Sequence, residues 1–346
     1  MINTVVVGYG LAGRAFHCPL IGRQRDLHLV GVVARDPKVR ASAVEALGVQ
    51  GYADLGEALA NASVQLVVIA TPHDSHAELA VQTLEAGKHC VVDKVMALST
   101  EEADRMIAAR DASGKMLSVF HNRRWDWDFL TVKDVLTRGV IGRPLVFESA
   151  VCRYAPPRSW RGQAAAAGTI LHDWGAHLVD QALMLGLGPC RRLTAWLTLA
   201  PWPGVDSGGH GQIALEFDEA LFRIETSRIA HLERPRWWVL GSRGGFIKHG
   251  IDPQEEALRA GDIDRASESP GRCGLLHHED EQGTYHQTRV DPVRGHWDSY
   301  YANIADHLLG RAPLAVTAEQ AREVVRVLDA AARSVTRHEV VEGPWG

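Results

Sequence analysis

The sequence lacks the features of several protein classes. No apolar run approaches the ~18 residues of a membrane helix, and the apolar start at residues 4–7 has no basic region before it. The five cysteines are scattered and none has C-x-x-C spacing, which argues against a disulfide scaffold and a structural zinc site. Acidic residues (42) outnumber basic ones (37), so no basic field attracts nucleic acid. We therefore expect a cytoplasmic protein with reduced thiols that binds no metal, nucleic acid or membrane.

The composition is that of an ordinary folded protein. Apolar residues make up 46% and charged residues 23%, and at roughly 150 residues per domain the chain has room for two domains. The first third alternates helical patterns with short apolar strands, expected at residues 4–8, 27–34, 64–71, 89–94 and 116–121. Because such alternation indicates a parallel sheet covered on both faces, residues 1–123 are predicted to form an α/β domain.

The remainder of the chain has a different pattern. Longer strand-like runs follow one another closely from residue 144 onward, interrupted by one helical stretch at residues 168–185. This order predicts an α+β domain over residues 124–346 with an open, mainly antiparallel sheet. Residues 262–295 have little periodicity and are predicted to be a loop or mobile flap. A last helix is expected at about residues 317–337, and one alternative is that this helix packs against the first domain.

A glycine motif immediately follows the first predicted strand. Residues 8–13 read Gly-Tyr-Gly-Leu-Ala-Gly, a G-x-G-x-x-G placed between a strand and a helix. Gly8 permits the tight turn, Gly10 lets a pyrophosphate approach the backbone, and Gly13 lets helix and strand pack closely. The motif predicts a Rossmann dinucleotide-binding domain with contacts from Gly8, Gly10, Leu11, Ala12 and Gly13. The alternative is a glycine turn without a ligand.

The end of the second strand bears on the choice of cofactor. Ala34 occupies the position where an acid would bind the ribose hydroxyls of NAD, and Arg35 follows it. A guanidinium group can grip a 2′-phosphate in two places, which favours NADP. Asp36 could instead serve the ribose if the strand ends later, and Arg35 could be a solvated surface residue, so NAD stays open.

Three further residues suggest proton-transfer chemistry. Asp173 and His177 are four apart in the predicted helix and can face one pocket; imidazole is a suitable base for a hydroxyl proton, and a carboxylate can orient it. Lys94 ends an apolar strand at the edge where parallel sheets bind ligands. It is one of only six lysines beside 31 arginines. The alternatives are a core histidine beside a surface aspartate, and a solubilising lysine.

These residues fall in motifs that resemble those of the Gfo/Idh/MocA oxidoreductases over nearly the whole chain. The matching motifs are T-P-x-x-x-H at Thr71, Pro72 and His76, E-K-P at Asp93-Lys94-Val95, and D-x-x-x-H at Asp173 and His177. The resemblance implies that Lys94, Asp173 and His177 form the catalytic set, with the histidine as proton carrier, and that Thr71, Pro72, His76, Asp93, Lys94 and Asn122 contact the cofactor. Asp93 in place of Glu and Val95 in place of Pro depart from the pattern.

A narrower resemblance concerns the substrate. Residues 121–131, 168–181 and 246–256 look like the branch that contains NADP-dependent scyllo-inositol dehydrogenases, which implies a polyol or sugar substrate. Such a substrate needs hydrogen-bonding groups and a flat apolar face. The candidates to line its pocket are Arg123, Arg153, Trp160, Arg161 and Tyr300 with its neighbour Tyr301. Their alternatives are sheet packing for the aromatic residues and surface ion pairing for the arginines.

The leading hypothesis is therefore a reversible NAD(P)-dependent oxidoreductase acting on the CH–OH group of an inositol-like polyol or sugar. One alternative is a non-catalytic cofactor-binding protein with a regulatory or scaffolding role, since fold does not fix function. Another is a sugar oxidoreductase that retains its cofactor tightly. The open sheet of the second domain would leave one face to cover, so we expect a homodimer or homotetramer.

Overall fold

The computed structural model describes residues 1–345, and the chain divides into two compact units. The first comprises Met1–Asn122, Glu255–Ala266 and Trp297–Arg322; the second comprises Arg123–Gln254, Ser267–His296 and, within the described residues, 323–345. Each unit therefore combines several separate stretches of chain. The predicted domains are, in contrast, continuous blocks with one boundary after residue 123.

The strands of the described residues form two sheets and are numbered in chain order. They are β1 (Ile2–Val7), β2 (Leu27–Val33), β3 (Gln50–Tyr52), β4 (Leu66–Ile69), β5 (His89–Val92), β6 (Leu117–Val119), β7 (Pro144–Cys152), β8 (Cys190–Thr198), β9 (His210–Phe217), β10 (Leu221–Ser227), β11 (Trp237–Gly241), β12 (Gly244–Lys248), β13 (Gly274–Glu279), β14 (Tyr285–Val290) and β15 (Val341–Trp345).

The α-helices are numbered in the same way. They are α1 (Cys18–Gly22), α2 (Pro37–Leu47), α3 (Leu55–Ala60), α4 (His76–Glu85), α5 (Thr100–Ser113), α6 (Trp127–Thr137), α7 (Ala164–Ala167), α8 (Ala176–Leu183), α9 (Gln254–Arg259), α10 (Asp298–Leu308) and α11 (Ala318–Arg337). Two π-helical turns, Gly13–His17 and Leu171–Gly175, lead directly into α1 and α8. Among residues 1–345, none of these helices combines the length and apolar character needed to cross a bilayer.

The sheet of the first unit is wholly parallel. Its strand order is β3-β2-β1-β4-β5-β6, which is the order of a Rossmann fold. The central strands are buried on both faces, as Val5, Val67 and Val91 show with no exposed surface. The predicted Rossmann domain is confirmed.

The sheet of the second unit has nine strands in the order β14-β13-β12-β11-β7-β10-β9-β8-β15. Only β7 and β10 pair in parallel, and all other neighbours are antiparallel, so the predicted mainly antiparallel sheet is confirmed. Its inner face carries stacked aromatic rings: the centroids of Phe147 and Phe222 are 5.4 Å apart, and Trp237 meets Phe222 edge-on at 5.9 Å.

The prediction of a loop over residues 262–295 is wrong. This stretch contains β13 and β14, which form a hairpin that extends the sheet beyond β12. Lys248 at the end of β12 and Glu268 form a buried ion pair, with Nζ 2.6 Å from Oε2, and Nζ also donates to the carbonyl of Arg272 at 2.8 Å. The segment is therefore fastened to the sheet at its start as well as paired along its strands.

Candidate active site

The glycine motif follows β1 and forms a cradle of the kind a dinucleotide requires. Gly8 has φ of +98°, a Cβ there would collide with the carbonyl of Ala70, and a Cβ on Gly13 would collide with the carbonyl of Gly8. A Cβ on Gly10 would meet nothing within 4 Å. Gly8 and Gly13 are thus demanded by the turn, whereas Gly10 leaves space beside the backbone for a phosphate.

The end of β2 is followed by both cationic and anionic side chains. Ala34 is buried, and Arg35 is exposed. The carboxylate of Asp36 accepts a hydrogen bond from the backbone N–H of Lys38 at 2.8 Å and so serves as the N-cap of α2. Arg40, which carries no motif in the sequence, donates to the carbonyl of Ala34 at 2.7 Å. This end of the strand therefore presents several positive groups.

His76, which the sequence predicts to contact the cofactor, is buried between two loops. The ring has no exposed surface; its Nδ1 lies 2.8 Å from the carbonyl oxygen of Val95 and its Nε2 lies 3.0 Å from that of Thr71. Burial lowers the pKa of this histidine, partly opposed by the charge of Asp93. We therefore reassign His76 from cofactor binding to joining the loops that follow β4 and β5. Pro72 and Thr71 lie in the first of these loops.

Lys94 lies in the loop after β5 and is half-buried. Its backbone N–H donates to Oδ1 of Asp93 at 2.8 Å, and its peptide bond to Val95 is cis. Burial raises the pKa of the Asp93 carboxyl, but His17, Lys94 and His76 outweigh this effect, and the pKa lies well below its usual value. The loop thus carries an ionised carboxylate beside the candidate catalytic lysine.

Asp173 and His177 lie on one helical segment of the second unit. Asp173 belongs to the π-helical turn and His177 to the first turn of α8, so the α-helical spacing that the sequence predicts is modified by the wider π turn. The side chain of Asp173 is 25% exposed, which leaves its carboxylate accessible. His177 is buried, and the ring of Trp174 meets it edge-on with centroids 5.9 Å apart.

Arg228 is a functional candidate that the sequence did not reveal. Its Nη2 donates to Oδ2 of Asp173 at 3.2 Å, and its Nη1 donates to Ser207 Oγ at 3.0 Å and to the carbonyl of Arg161 at 3.2 Å. The guanidinium therefore fixes the Asp173 carboxylate. One arginine among 31, just beyond the end of a strand, carries no motif that would have marked it.

Four of the predicted substrate residues lie near this segment. The Arg123 guanidinium carbon is 4.0 Å from the ring centroid of Trp174, and that of Arg153 is 5.6 Å from the same ring. Arg161, whose carbonyl binds Arg228, stacks on Trp160 at 4.5 Å. The arginines thus rest on indole faces, which restricts their guanidinium groups.

The two tyrosines do not match their predicted role. Tyr300 and Tyr301 belong to α10 in the first unit and have almost no exposed surface. The Tyr300 hydroxyl is hydrogen-bonded to Ser118 Oγ at 2.9 Å. Tyr300 is therefore a core residue rather than a substrate contact, in line with the alternative that gives the aromatic residues a packing role.

Asn122, predicted to contact the cofactor, is buried at the start of a short 3₁₀ turn, Asn122–Trp125.

Comparison with known proteins identifies the family. Residues 2–121 match the model of an oxidoreductase family with an NAD-binding Rossmann fold, and residues 129–247 match the GFO/IDH/MocA C-terminal domain. The chain belongs to the Gfo/Idh/MocA oxidoreductase family. It is therefore an oxidoreductase of a nicotinamide-binding family. Within the described residues, no group of three or more His, Cys, Asp or Glu side chains is placed to hold a metal ion.

Individual relatives cover almost the entire chain. It is 35% identical over 334 residues to the uncharacterized oxidoreductase YdgJ of Escherichia coli, covering 95% of this chain and 94% of the relative. It is 32% identical over 341 residues to scyllo-inositol 2-dehydrogenase (NADP(+)) IolW of Bacillus subtilis, covering 96% and 93%. The solved structure of the Bacillus subtilis oxidoreductase yvaA has a TM-score of 0.92 at 29% identity, covering 99% and 98% of the two chains.

Proposed function

We propose that the protein is an NADP-dependent dehydrogenase that transfers a hydride between the CH–OH group of a polyol or sugar, inositol-like in size, and the nicotinamide ring. The observation that carries this proposal is the helical segment that bears Asp173, Trp174 and His177. It combines a carboxylate fixed by Arg228 with a buried imidazole and an indole ring stacked with cations. The 32% identity to a scyllo-inositol dehydrogenase supports the substrate class.

Each catalytic residue has a separate role in this proposal. His177 accepts the hydroxyl proton as the C–H bond breaks, because imidazole has a pKa near neutral pH. Lys94 stabilises the negative charge that develops on the substrate oxygen. Asp173, held by Arg228, orients the reacting groups. When bound, the nicotinamide ring supplies the hydride acceptor, and the protein supplies position and proton transfer.

The residues that would contact the substrate follow from the chemistry of a polyol. A cyclic polyol has an apolar ring face and a rim of hydroxyls, which suit an indole face and guanidinium donors respectively. We assign the apolar contacts to Trp174 and Trp160, and the hydroxyl contacts to Arg123, Arg153 and Arg161.

The preference for NADP rests on the end of β2. Arg35 is exposed there with Lys38 and Arg40 beside it in sequence, and the carboxylate of Asp36 is engaged as a helix cap. A 2′-phosphate would find cationic donors here, whereas Asp36, the acid beside Arg35, already caps α2 through Oδ1.

We also propose that the protein is a homodimer or homotetramer formed through the outer face of the nine-stranded sheet. This face carries Trp196, which is 54% exposed, and the half-buried, paired Trp238 and Ile247. The ion pairs of Arg234 with Glu148 and Glu225 lie in the same region. Sedimentation equilibrium tests this, and a monomer at micromolar concentration would contradict it.

The function is tested by measuring nicotinamide absorbance with a panel of inositols and aldoses and both cofactors. We expect turnover with NADP, and a loss of roughly 10²–10⁴-fold in kcat for His177→Ala with NADP binding retained. Lys94→Ala should also lower kcat, and the double variant should lose much less than the product of the two single losses, because groups that act together are not additive.

The matched control is His286→Ala, which removes an exposed histidine whose Nε2 lies 2.7 Å from Asp280 in the same unit. It should leave kcat unchanged. Cofactor binding without turnover on any polyol would favour the regulatory alternative. Nicotinamide that copurifies with the protein would favour the alternative with retained cofactor.

A further inference from the structure

The loop of Lys94 is backed by two buried side chains to which neither the motifs nor the proposed reaction gives a role. His17, in the π-helical turn after the glycine motif, and Tyr301, in α10, both have no exposed surface. Nδ1 of His17 lies 2.7 Å from the Tyr301 hydroxyl, which is a hydrogen-bond distance, and Nε2 of the same ring lies 3.7 Å from Oδ1 of Asp93. The second distance is longer than a hydrogen bond, so the contact with Asp93 is electrostatic. The three residues form a continuous row within the first unit.

The row has a preferred arrangement of protons. Burial raises the pKa of Tyr301 well above its usual value, so the phenol keeps its proton and can donate it to Nδ1 of His17. Nε2 of a neutral His17 then carries the ring proton and turns it toward Asp93. The opposite tautomer would direct a lone pair at a carboxylate, which is unfavourable. A protonated His17 would also present an N–H there.

Asp93 connects this row to the lysine. Its Oδ1 accepts the backbone N–H of Lys94 at 2.8 Å and is the oxygen that faces His17. The loop is held on its other side by His76, whose Nδ1 lies 2.8 Å from the carbonyl oxygen of Val95. Backbone groups on both sides of the Lys94–Val95 peptide are thus bonded to side chains, those of Asp93 and His76.

The charged and titratable neighbours of the row come from several elements. Lys94 and His76 face Asp93, and Asp74 acts on His76. Cys18 and Tyr300 act on Tyr301, and burial raises the pKa of the Cys18 thiol to about 12. The cysteine is therefore neutral, and Asp93 is the charge that the His17 N–H meets.

We propose that His17 is a positioning residue which, with its tautomer set by Tyr301, holds the Asp93 carboxylate against the backbone N–H of Lys94 and so fixes the place of the lysine. This inference rests on the proposed function, in which Lys94 acts on the substrate oxygen. His17 would influence the reaction only through Asp93.

The kinetic test uses two replacements of His17 that differ in reach. His17→Asn keeps a polar group near the Nδ1 position but none at the Nε2 position, whereas His17→Gln can place an amide N–H near Nε2. We expect kcat to fall about tenfold for His17→Asn and to recover most of that loss for His17→Gln. Tyr301→Phe should lower kcat by a smaller factor, because it releases the tautomer but keeps the ring.

A double variant separates positioning from general destabilisation. If His17 acts through Asp93, His17→Asn combined with Asp93→Asn should be no slower than Asp93→Asn alone. The control is Ser118→Ala, which removes another buried hydroxyl of the first unit, bonded to Tyr300 and to the carbonyl of Val316; kcat should not change. Losses that multiply, or failure of His17→Gln to recover activity, would overturn the proposal.

A third measurement does not depend on catalysis. The ¹³C carboxyl resonance of Asp93, assigned by its absence in Asp93→Asn, should titrate at a higher pH in His17→Asn than in the wild type, because the N–H that favours the ionised form has gone. An unchanged titration would overturn the His17–Asp93 link. If instead Lys94→Ala retains full turnover, the proposed function fails while this titration still decides the link.

Discussion

Asp252 is a buried carboxylate whose titration should be visible in the stability of the protein. It follows β12 and is 4% exposed. Its Oδ2 accepts the backbone N–H of Trp127 at 2.7 Å, and its Oδ1 accepts that of Gln254 at 2.8 Å. Burial and the charge of Asp128 raise its pKa to about 6, against the opposing effects of the Trp127 N–H, of Arg123 and of a hydrogen bond from the Gln254 side chain. The group should therefore change its charge in a pH range where the protein is studied.

The size and sign of the effect follow from the two pKa values. The folded-state value of about 6 exceeds the ordinary 3.8 by about two units, or roughly 3 kcal/mol between the two protonation states. The folded state holds the proton more tightly than the unfolded chain, so this group stabilises the fold most at low pH and loses that stabilisation as pH rises through about 6. Between about pH 5 and about pH 7.5 the loss is about 1.4 kcal/mol.

Asp252→Asn removes the titrating carboxyl group. It also leaves one of the hydrogen bonds to residue 252 without an acceptor. We measure the free energy of unfolding in urea for both proteins at several pH values. The difference, wild type minus variant, should fall by about 1.4 kcal/mol from about pH 5 to about pH 7.5. Asp291→Asn, an exposed aspartate of the same unit, should give a flat difference. A flat or rising difference for Asp252→Asn would refute the reasoning.

Three other substitutions test the two ligand regions. Gly13→Ala should abolish dinucleotide binding, measured by calorimetry, because its Cβ would collide with the carbonyl of Gly8; binding at wild-type affinity would contradict the cradle. Arg35→Ala should weaken NADP binding roughly ten- to a hundredfold by removing charge-assisted hydrogen bonds, with NAD binding nearly unchanged, and equal losses for both cofactors would contradict a 2′-phosphate contact. Arg228→Met should lower kcat about tenfold or more, because the Asp173 carboxylate loses the group that fixes it, and unchanged kinetics would remove that role.

The parallel sheet of the first unit could be predicted because the sequence patterns that indicate its strands and helices are local. Its central strand β4 (Leu66–Ile69) is a short apolar run that is buried throughout, and α2 begins at a proline preceded by the capping Asp36. The strand that was missed, Gln50–Tyr52, has three residues and contains a glycine, so no periodicity could reveal it.

The edges of the second sheet were not predictable in the same way. In Tyr285–Val290 only the last residue is buried, so this edge strand shows no alternation of apolar and polar positions. Val341–Trp345 contains Gly343 and Pro344, which are signals for a turn. In both strands the pairing partner, rather than the strand's own sequence, decides the structure.

The candidate site was predicted at the level of motifs but not of contacts. The spacing of Asp173 and His177 located one helical segment, and the structure places both on it. The sequence could not show that Arg228 would reach the carboxylate of Asp173, because that contact joins residues 55 apart. Nor could it distinguish an aromatic side chain in a pocket from one in the core, which is why Tyr300 was misassigned.

The block at residues 121–131, which the sequence marked as typical of one branch, has a physical explanation in buried charge. Arg124 donates from Nε and Nη2 to the carboxylate of Asp180 at 2.9 and 2.7 Å, with both side chains almost fully buried. Gln181 donates to the carbonyl of Arg123 at 2.8 Å. Both partners lie on α8, one turn beyond His177.

Buried ions of this kind add little net stability, but removing one partner costs roughly 3–5 kcal/mol, because the other charge is left without compensation. Arg124 and Asp180 can therefore be replaced only together, and their bidentate geometry fixes the rotation of α8 about its axis. That rotation determines where the His177 ring points. The branch-typical residues outside the catalytic motifs thus serve the proposed chemistry by holding the helix that carries the proton acceptor.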